Sequence, residues 1–118
     1  MTFEEITQEI EDISGFCACV YDQTNGQEMS ERLTNLHVYL ARSGTLQAEA
    51  QYLLDSSIAV ETEKLITMDL APSVITSLSK GRSATFQKLW KLCERMNRTI
   101  THQIEGIRTQ ISLLKSQR

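Results

Sequence analysis

Proline and glycine are scarce in this chain, which has one Pro and five Gly among 118 residues. Strand-rich folds and disordered segments use more of both residues, so their scarcity indicates a helical protein. Aromatic residues are also few, at 6% of the chain. Trp90 and Tyr39 are better explained as anchors in a core or an interface than as platforms on which nucleic-acid bases stack.

Residue types from which enzymes build their catalytic centres are sparse as well. Neither His37 nor His102 has the spacing from Cys, Asp or Glu that a metal site needs. Cys17 and Cys19 lack the spacing of a zinc knuckle or a redox C-x-x-C motif, and Cys93 makes the thiol count odd. The sequence contains no nucleophile elbow, H-E-x-x-H motif or phosphate-binding glycine loop. We therefore expect a non-enzymatic protein with buried free thiols and without catalytic residues, metal or cofactor.

Long apolar runs and a signal-peptide pattern are absent from the sequence. We therefore expect a cytoplasmic protein with no membrane partner. Net charge is −3, which argues against sequence-independent binding to duplex DNA. The charge is divided unevenly, with a net −9 in residues 1–67 and a net +6 in residues 68–118. This division favours pairing of acidic with basic helices, within or between subunits, or a basic face for an anionic ligand.

A regular apolar seam runs through residues 83–115. Its members are three or four residues apart, which is the spacing of one face of a single long helix. So long a helix with so narrow a seam needs a partner helix along most of its length. The seam consists of Phe86, Leu89, Cys93, Met96, Ile100, Ile104, Ile107, Ile111 and Leu114.

Two further helices are predicted in the first half of the chain. A T-x-x-E capping box formed by Thr2 and Glu5 begins the first, in which Ser14-Gly15 marks a break or a bend. The second covers about residues 27–67, and Ser43-Gly44 could kink it or divide it.

A short helix connects the two long ones. Pro72 suits its first turn, Gly81 closes it, and Ser83 is the expected N-cap of the last helix. We therefore predict an all-α fold that forms a single domain over residues 1–118. An N-terminal helix packs against a long antiparallel helical hairpin, and the narrow seams predict assembly as a homo-oligomer.

Two groups of basic residues could bind an anion. In the first, Lys80, Arg82 and Ser83 bring cations and a hydroxyl to the N-terminus of the last helix, although an ordinary interhelix turn would look the same. The second is a row of cations on one helical face, which alternatively is a solvated surface or a contact for another subunit's acidic helix. Within that row Arg95 and Arg98 lie one turn apart and could clamp a phosphate. The row consists of Lys88, Lys91, Arg95, Arg98 and His102.

Residues 31–44, 95–103 and 108–112 together resemble small helical proteins encoded by phages and prophages of gut bacteria. The resemblance covers about half the chain and implies an origin in a mobile element, and hence the cytoplasm of a bacterial host, rather than an activity. The layout of a helix followed by a long helical hairpin is also similar to that of the phage anti-CBASS nucleotide sponges. Those proteins are oligomers that sequester cyclic nucleotide signals at subunit contacts. The likeness is one of layout without a shared motif, so it carries over no ligand residue.

Three functions follow as hypotheses. The first is oligomeric capture of a small anionic ligand, a cyclic nucleotide signal in phage counter-defence, through Lys80, Arg82 and Ser83 or through Arg95, Arg98 and His102. The second is an accessory protein for single-stranded DNA or recombination, against which the net acidity argues. The third is a helical inhibitor that binds a host protein.

Overall fold

The computed structural model describes residues 1–117, and these residues are arranged in four α-helices without a β-strand. The prediction of an all-α fold is therefore confirmed. The helices are α1 Phe3–Ala18, α2 Gly26–Ile66, α3 Pro72–Arg82 and α4 Ala84–Ser116.

Helix α1 begins where its capping residue predicts. The backbone N–H of Glu5 donates to Thr2 Oγ1 at 3.1 Å, so Thr2 is the N-cap. The helix continues through Ser14-Gly15 to Ala18. No break occurs there because Ile13 is buried in the core, so packing offsets the low helix propensity of the glycine.

Helix α2 is one uninterrupted helix of 41 residues. Its N-cap is Asn25, whose side chain accepts hydrogen bonds from the N–H groups of Gln27 and Glu28. The possible division at Ser43-Gly44 does not occur. The Ser43 hydroxyl donates to the carbonyl of Leu40 in its own helix at 2.8 Å, and this buried hydroxyl accepts a hydrogen bond from Asn97.

The junction between α3 and α4 differs from the prediction. Helix α3 extends past Gly81 to Arg82, and Ser83 alone separates it from α4. Ser83 does not cap α4 with its side chain, because that hydroxyl is buried and lies 2.8 Å from the Ser57 hydroxyl on α2. Helices α3 and α4 therefore follow one another closely, and both pack against α2.

The hairpin is antiparallel and extended. Ser43 meets Asn97 and Ser57 meets Ser83, so α2 runs opposite to the α3–α4 chain. The described chain measures 73 × 24 × 18 Å. Its radius of gyration of 19.9 Å is well above the roughly 13.5 Å of a compact chain of this length.

Helix α1 covers one part of this hairpin. Arg42 of α2 contacts Glu9, and Phe3 at the start of α1 packs edge-on against Phe86 of α4 with ring centroids 5.8 Å apart. Residues 51–82 lie beyond the start of α1 and form a hairpin of only two helices, which we call the arm.

The apolar seam of α4 faces the core as predicted. Six of its nine residues are buried and the other three are partly buried; Ile111 and Leu114 pack against the same core, and Phe86 packs against Phe3. The core contains residues of α1, α2 and α4, so the seam of α4 packs against two neighbouring helices. The six buried seam residues are Leu89, Cys93, Met96, Ile100, Ile104 and Ile107.

The contact between Glu9 and Arg42 predicts a pH-dependent stability. Arg42 Nε donates to Glu9 at 2.6 Å, and this hydrogen bond holds the pKa of the Glu9 carboxyl below its ordinary value of 4.5. A carboxyl whose pKa is lower in the folded state stabilises the fold above its unfolded pKa, and the effect is lost as pH falls through the folded pKa. We expect wild type to melt above Arg42→Ala at pH 7, with the difference vanishing as pH falls well below 4.5.

Thermal melts followed by circular dichroism from about pH 7 to about pH 3 test this expectation. In a Glu9→Gln background the effect of Arg42→Ala should depend on pH only weakly, through the remaining charge of Glu49. A difference between wild type and Arg42→Ala that persists undiminished at the acid end would contradict the assignment.

Candidate functional site

A groove follows the line where α1 lies beside α4. Three adjoining clefts of about 430, 370 and 240 Å³ form it; α4 alone lines the first, and both helices line the second and third. They are continuous because Leu92 lines all three, Arg95 lines the first two, and Lys88 lines the first and third. These volumes are of the order that small-molecule sites occupy. We call this surface the α1–α4 groove.

One edge of the groove is cationic. Lys88, Lys91 and Arg95 are exposed, and within residues 1–117 none of them has a carboxylate within 4 Å. Leu92 lies among them on the same helical face and is 39% exposed, which leaves an apolar surface between the charges. A surface of this kind suits a ligand that combines negative charge with an apolar or planar part.

The rotation of α4 positions this edge. Leu89, Cys93 and Met96 are buried and fix which side of the helix faces the core. Residues 88, 91, 92 and 95 occur at spacings of three and four on a neighbouring face, and Lys88, Leu92 and Arg95 also line clefts shared with α1. The long aliphatic stems of the lysines can lie along the groove while their ammonium groups stay in water.

A buried cation without any local signal in the sequence contacts two residues that line the second cleft. Arg32 of α2 is 7% exposed, and its guanidinium carbon lies 4.8 Å from the Phe16 ring centre and 4.5 Å from that of Tyr21. Its Nη2 donates to the carbonyls of Phe16 and Cys17 and to the Gln103 side chain. These are carbonyls at the C-terminus of α1, where a cation is favoured by the helix dipole.

Arg32 therefore holds the end of α1 against both long helices. Gln103 of α4 completes the arrangement, because its amide also donates to the Cys17 carbonyl at 3.0 Å. Cys17 and Gln103 both line the second cleft, so this clamp fixes the shape of that end of the groove.

The first predicted anion set is not brought together. Ser83 is fully buried against Ser57, so its hydroxyl does not reach the surface. Arg82 lies 3.5 Å from the carboxylate of Glu61, whose negative charge disfavours an anion at this place. Lys80 is exposed.

The second predicted set is divided between two surroundings. Arg95 lines the first and second clefts of the groove. Arg98 forms an ion pair with Glu94 one turn earlier, and His102 Nδ1 lies 3.8 Å from Glu105. Both of these side chains are exposed. In the groove, Arg95 lies instead with Lys88 and Lys91, which belong to the same predicted row.

The thiols have the properties of structural side chains. Burial raises the pKa of Cys93 to about 11 and also raises the pKa of Cys17, so both thiols stay protonated at neutral pH. Cys19 is exposed, so the expectation that all three cysteines are buried is wrong. Within residues 1–117 no cluster of His, Cys, Asp or Glu is suited to hold a metal ion.

Within residues 1–117 no helix has the length and apolar character needed to cross a membrane. Among the described residues, the α1–α4 groove has the most distinctive chemistry. It combines three cations that have no carboxylate partner, an exposed leucine and a neighbouring helix held in place by Arg32. No known family matches the chain, and no curated protein or solved structure is similar to it, so its function has to be argued from this groove.

Proposed function

We propose that this protein is a non-enzymatic binding protein that captures a small anionic ligand in the α1–α4 groove. The observation that carries the proposal is the edge formed by Lys88, Lys91 and Arg95, three cations without a carboxylate partner in residues 1–117. Charges left unpaired beside an apolar cleft are available to a ligand, whereas those of Arg82 and Arg98 are already matched by Glu61 and Glu94.

A nucleotide matches this chemistry well. Its phosphates would contact Arg95 and Lys88, where each charge-assisted hydrogen bond is worth roughly 1.5–3 kcal/mol. Its base would lie against Leu92 and the apolar wall supplied by α1. A cyclic nucleotide signal, captured in phage counter-defence, is the member of this class that the likeness in layout to the phage nucleotide sponges favours.

The extent of the cationic edge favours a small ligand over single-stranded DNA. Lys88 and Arg95 are seven residues apart, which is roughly 10 Å along a helix. Proteins that follow a nucleic-acid strand use longer basic grooves with several aromatic rings for stacking. Among the described residues, the lining of the three clefts includes one aromatic residue, Phe3, which lies in the third cleft.

Capture without turnover fits the composition of the lining. The ionisable groups in the three clefts are the cations named above and the thiol of Cys17, whose pKa is raised. General acid–base chemistry near neutral pH calls for a group that titrates near neutral pH, such as His or a perturbed carboxyl.

Calorimetry with a panel of cyclic di- and trinucleotides tests the proposal. For the member that binds, Lys88→Ala/Arg95→Ala should weaken binding about 100-fold, because two charge-assisted contacts are lost. The matched control is Lys80→Ala/Arg82→Ala, which removes the same net charge outside the groove and should change affinity less than about threefold.

Other outcomes of the same experiment are equally decisive. The proposal fails if no panel member binds, or if the groove variant and the control are affected alike. Retention of single-stranded DNA with a steep salt dependence would instead support the accessory function, and specific capture of one host protein would support the inhibitor function.

A further inference from the structure

Helix α3 buries very little of its surface against the rest of the protein. Nine of its eleven residues are exposed, Ile75 is half-buried, and Ser79 is the one residue that is buried. Ser79 is small and its hydroxyl donates to the Thr76 carbonyl within the same helix, so it contributes little apolar contact. Val74 and Leu78, the other large apolar residues of α3, are 42% and 40% exposed. The hydrophobic effect therefore holds α3 in place only weakly.

The arm as a whole stands apart from the hydrophobic core. Within residues 51–82 the buried apolar side chains are those of Leu54 and Leu65, and neither belongs to the core cluster that joins α1, α2 and α4. Continuing the antiparallel register of the hairpin places Leu65 level with Ile75 of α3, and Leu54 level with Phe86 of α4. Helix α3 can therefore leave without disturbing the core, which is the condition for part of a fold to open independently.

Polar contacts tie α3 to α2 at one end only. Arg82, the last residue of α3, lies 3.5 Å from the Glu61 carboxylate, and in the described part of the chain this is the one polar contact between the two helices. An ion pair with a solvent-exposed arginine contributes little to stability. Ser83 meets Ser57 at 2.8 Å, but it lies outside α3. Ser83 is thus a fixed point from which α3 can detach.

Helix α3 is also weak in its own right. It has 11 residues, fewer than the roughly 12–15 that an isolated helix needs in water. Its N-cap, Ala71, makes no side-chain capping hydrogen bond, and Gly81 lowers the helix propensity of its last turn. Once detached from α2, α3 should therefore unfold, so that detachment and unfolding form a single cooperative step.

We infer that α3 is a releasable strap, which detaches from α2 and unfolds as a unit while the core of α1, α2 and α4 stays folded. The inference does not depend on what the α1–α4 groove binds. Release uncovers Leu65 of α2 and frees Ile75 and Leu78 of α3. Because a molecule that bound only the released form would shift the equilibrium towards it, binding can control this step.

Hydrogen exchange of the intact wild-type chain, followed by mass spectrometry, tests the inference. Backbone amides of residues 76–82 should exchange at least about 100-fold faster than those of residues 93–107, after correction for their intrinsic rates. Equal protection of the two segments would overturn the inference, because α3 would then open only when the whole chain unfolds.

A matched pair of glycine substitutions separates the release of α3 from global unfolding. Gly81 in α3 and Gly106 in α4 are both exposed, and nothing lies within 4 Å of a Cβ atom added at either position. Alanine should therefore stabilise each helix, lowering its opening equilibrium constant by up to about fivefold. Gly106→Ala should slow exchange in residues 93–107 and leave residues 76–82 unchanged, since α4 stays folded when α3 is released.

Gly81→Ala should slow exchange in both segments, because α3 is unfolded in the released form and also in the fully unfolded chain. Two results of this pair would overturn the inference. One is a Gly106→Ala protein in which residues 76–82 slow as much as residues 93–107. The other is a Gly81→Ala protein whose exchange in residues 76–82 is unchanged.

Limited proteolysis gives a second, independent measurement. Trypsin cleaves after lysine and arginine where the chain is locally unfolded, so it should cut after Lys80 or Arg82 at least about tenfold faster than after the exposed Lys88 and Lys91 of α4. The two fragments should stay together as one folded particle that has lost only the helicity of α3. Cleavage after Lys88 or Lys91 as fast as after Lys80 would contradict the release of α3 alone.

Discussion

Replacing Arg32 by methionine should lower the free energy of unfolding by about 3 kcal/mol. Three acceptors share the two hydrogens of its Nη2, at 3.1–3.3 Å, so at least one of these hydrogen bonds is bifurcated and weaker than the others. The rings of Phe16 and Tyr21 add cation–π attraction, worth roughly 0.5–2 kcal/mol each. Methionine retains much of the stem but leaves the carbonyls at the end of α1 without their donor.

A cost of keeping Arg32 buried opposes part of this loss. The guanidinium has no carboxylate beside it in residues 1–117, and its buried Nε makes no hydrogen bond there. Removing a poorly compensated buried charge is stabilising, which is why the expected loss is below the sum of the contacts. Two long helices hold the carbonyls that would be left without a donor in place. We therefore expect the loss of these hydrogen bonds to outweigh the gain from removing the buried charge.

Urea unfolding followed by circular dichroism measures this effect. Arg98→Met is the matched control, because Arg98 pairs with Glu94 at the surface and should contribute less than about 1 kcal/mol. Arg32→Lys should give an intermediate loss, since it keeps the charge near the rings but not the planar fork. An Arg32→Met protein as stable as wild type would mean that desolvation of the guanidinium cancels all its contacts.

The two long helices could be predicted because their signals are local and repeated. The α4 seam recurs through nine residues, and six of these are buried. A cap such as Thr2 needs partners only three residues away. The junction at Ser83 could not be predicted in this way, because its hydroxyl binds Ser57, which is 26 residues distant in the chain. A serine before a helix is typical of an N-cap whether or not such a distant partner exists.

The same distinction between local and distant contacts decides which parts of the candidate site could be predicted. The row of cations on α4 is visible in the sequence, and so is the Glu94–Arg98 pair at a spacing of four, which could have removed Arg98 from consideration. The pairing of Arg82 with Glu61 joins different helices and has no local signal. Leu92 offered an overlooked signal, because it is an apolar residue outside the seam and among cations. The position of α1 beside this face depends on tertiary packing, which has no local signal in the sequence.

The interruption in the α4 repeat also has a structural meaning. Met96, Ile100 and Ile104 are separated by two consecutive steps of four, which would unwind a simple two-stranded coil. All three are buried in a core shared with Ile13 of α1 and Leu36 of α2. Here α4 contacts two helices at once, so the drift of the seam carries its residues from one neighbour towards the other instead of exposing them.

Ile100→Ala should therefore lower the free energy of unfolding by about 4 kcal/mol. The Ile100 side chain is fully buried, and its removal loses both the transfer free energy of its carbon atoms and the contacts around the cavity left behind. The cost lies towards the upper end of the range for such truncations because the walls of the cavity belong to long helices that cannot easily move inward. Ile100→Val, which deletes a single methyl group, should cost only about 1 kcal/mol.

Leu113→Ala is the control within the same helix, because Leu113 is 56% exposed and its truncation should cost less than about 0.5 kcal/mol. In urea titrations of the four proteins, the unfolding midpoint should decrease from wild type through Leu113→Ala and Ile100→Val to Ile100→Ala, with similar slopes. A loss at Ile100→Ala no larger than at Leu113→Ala would place residue 100 outside the core. A changed slope would instead indicate that the alanine variant alters the compactness of the folded or unfolded state.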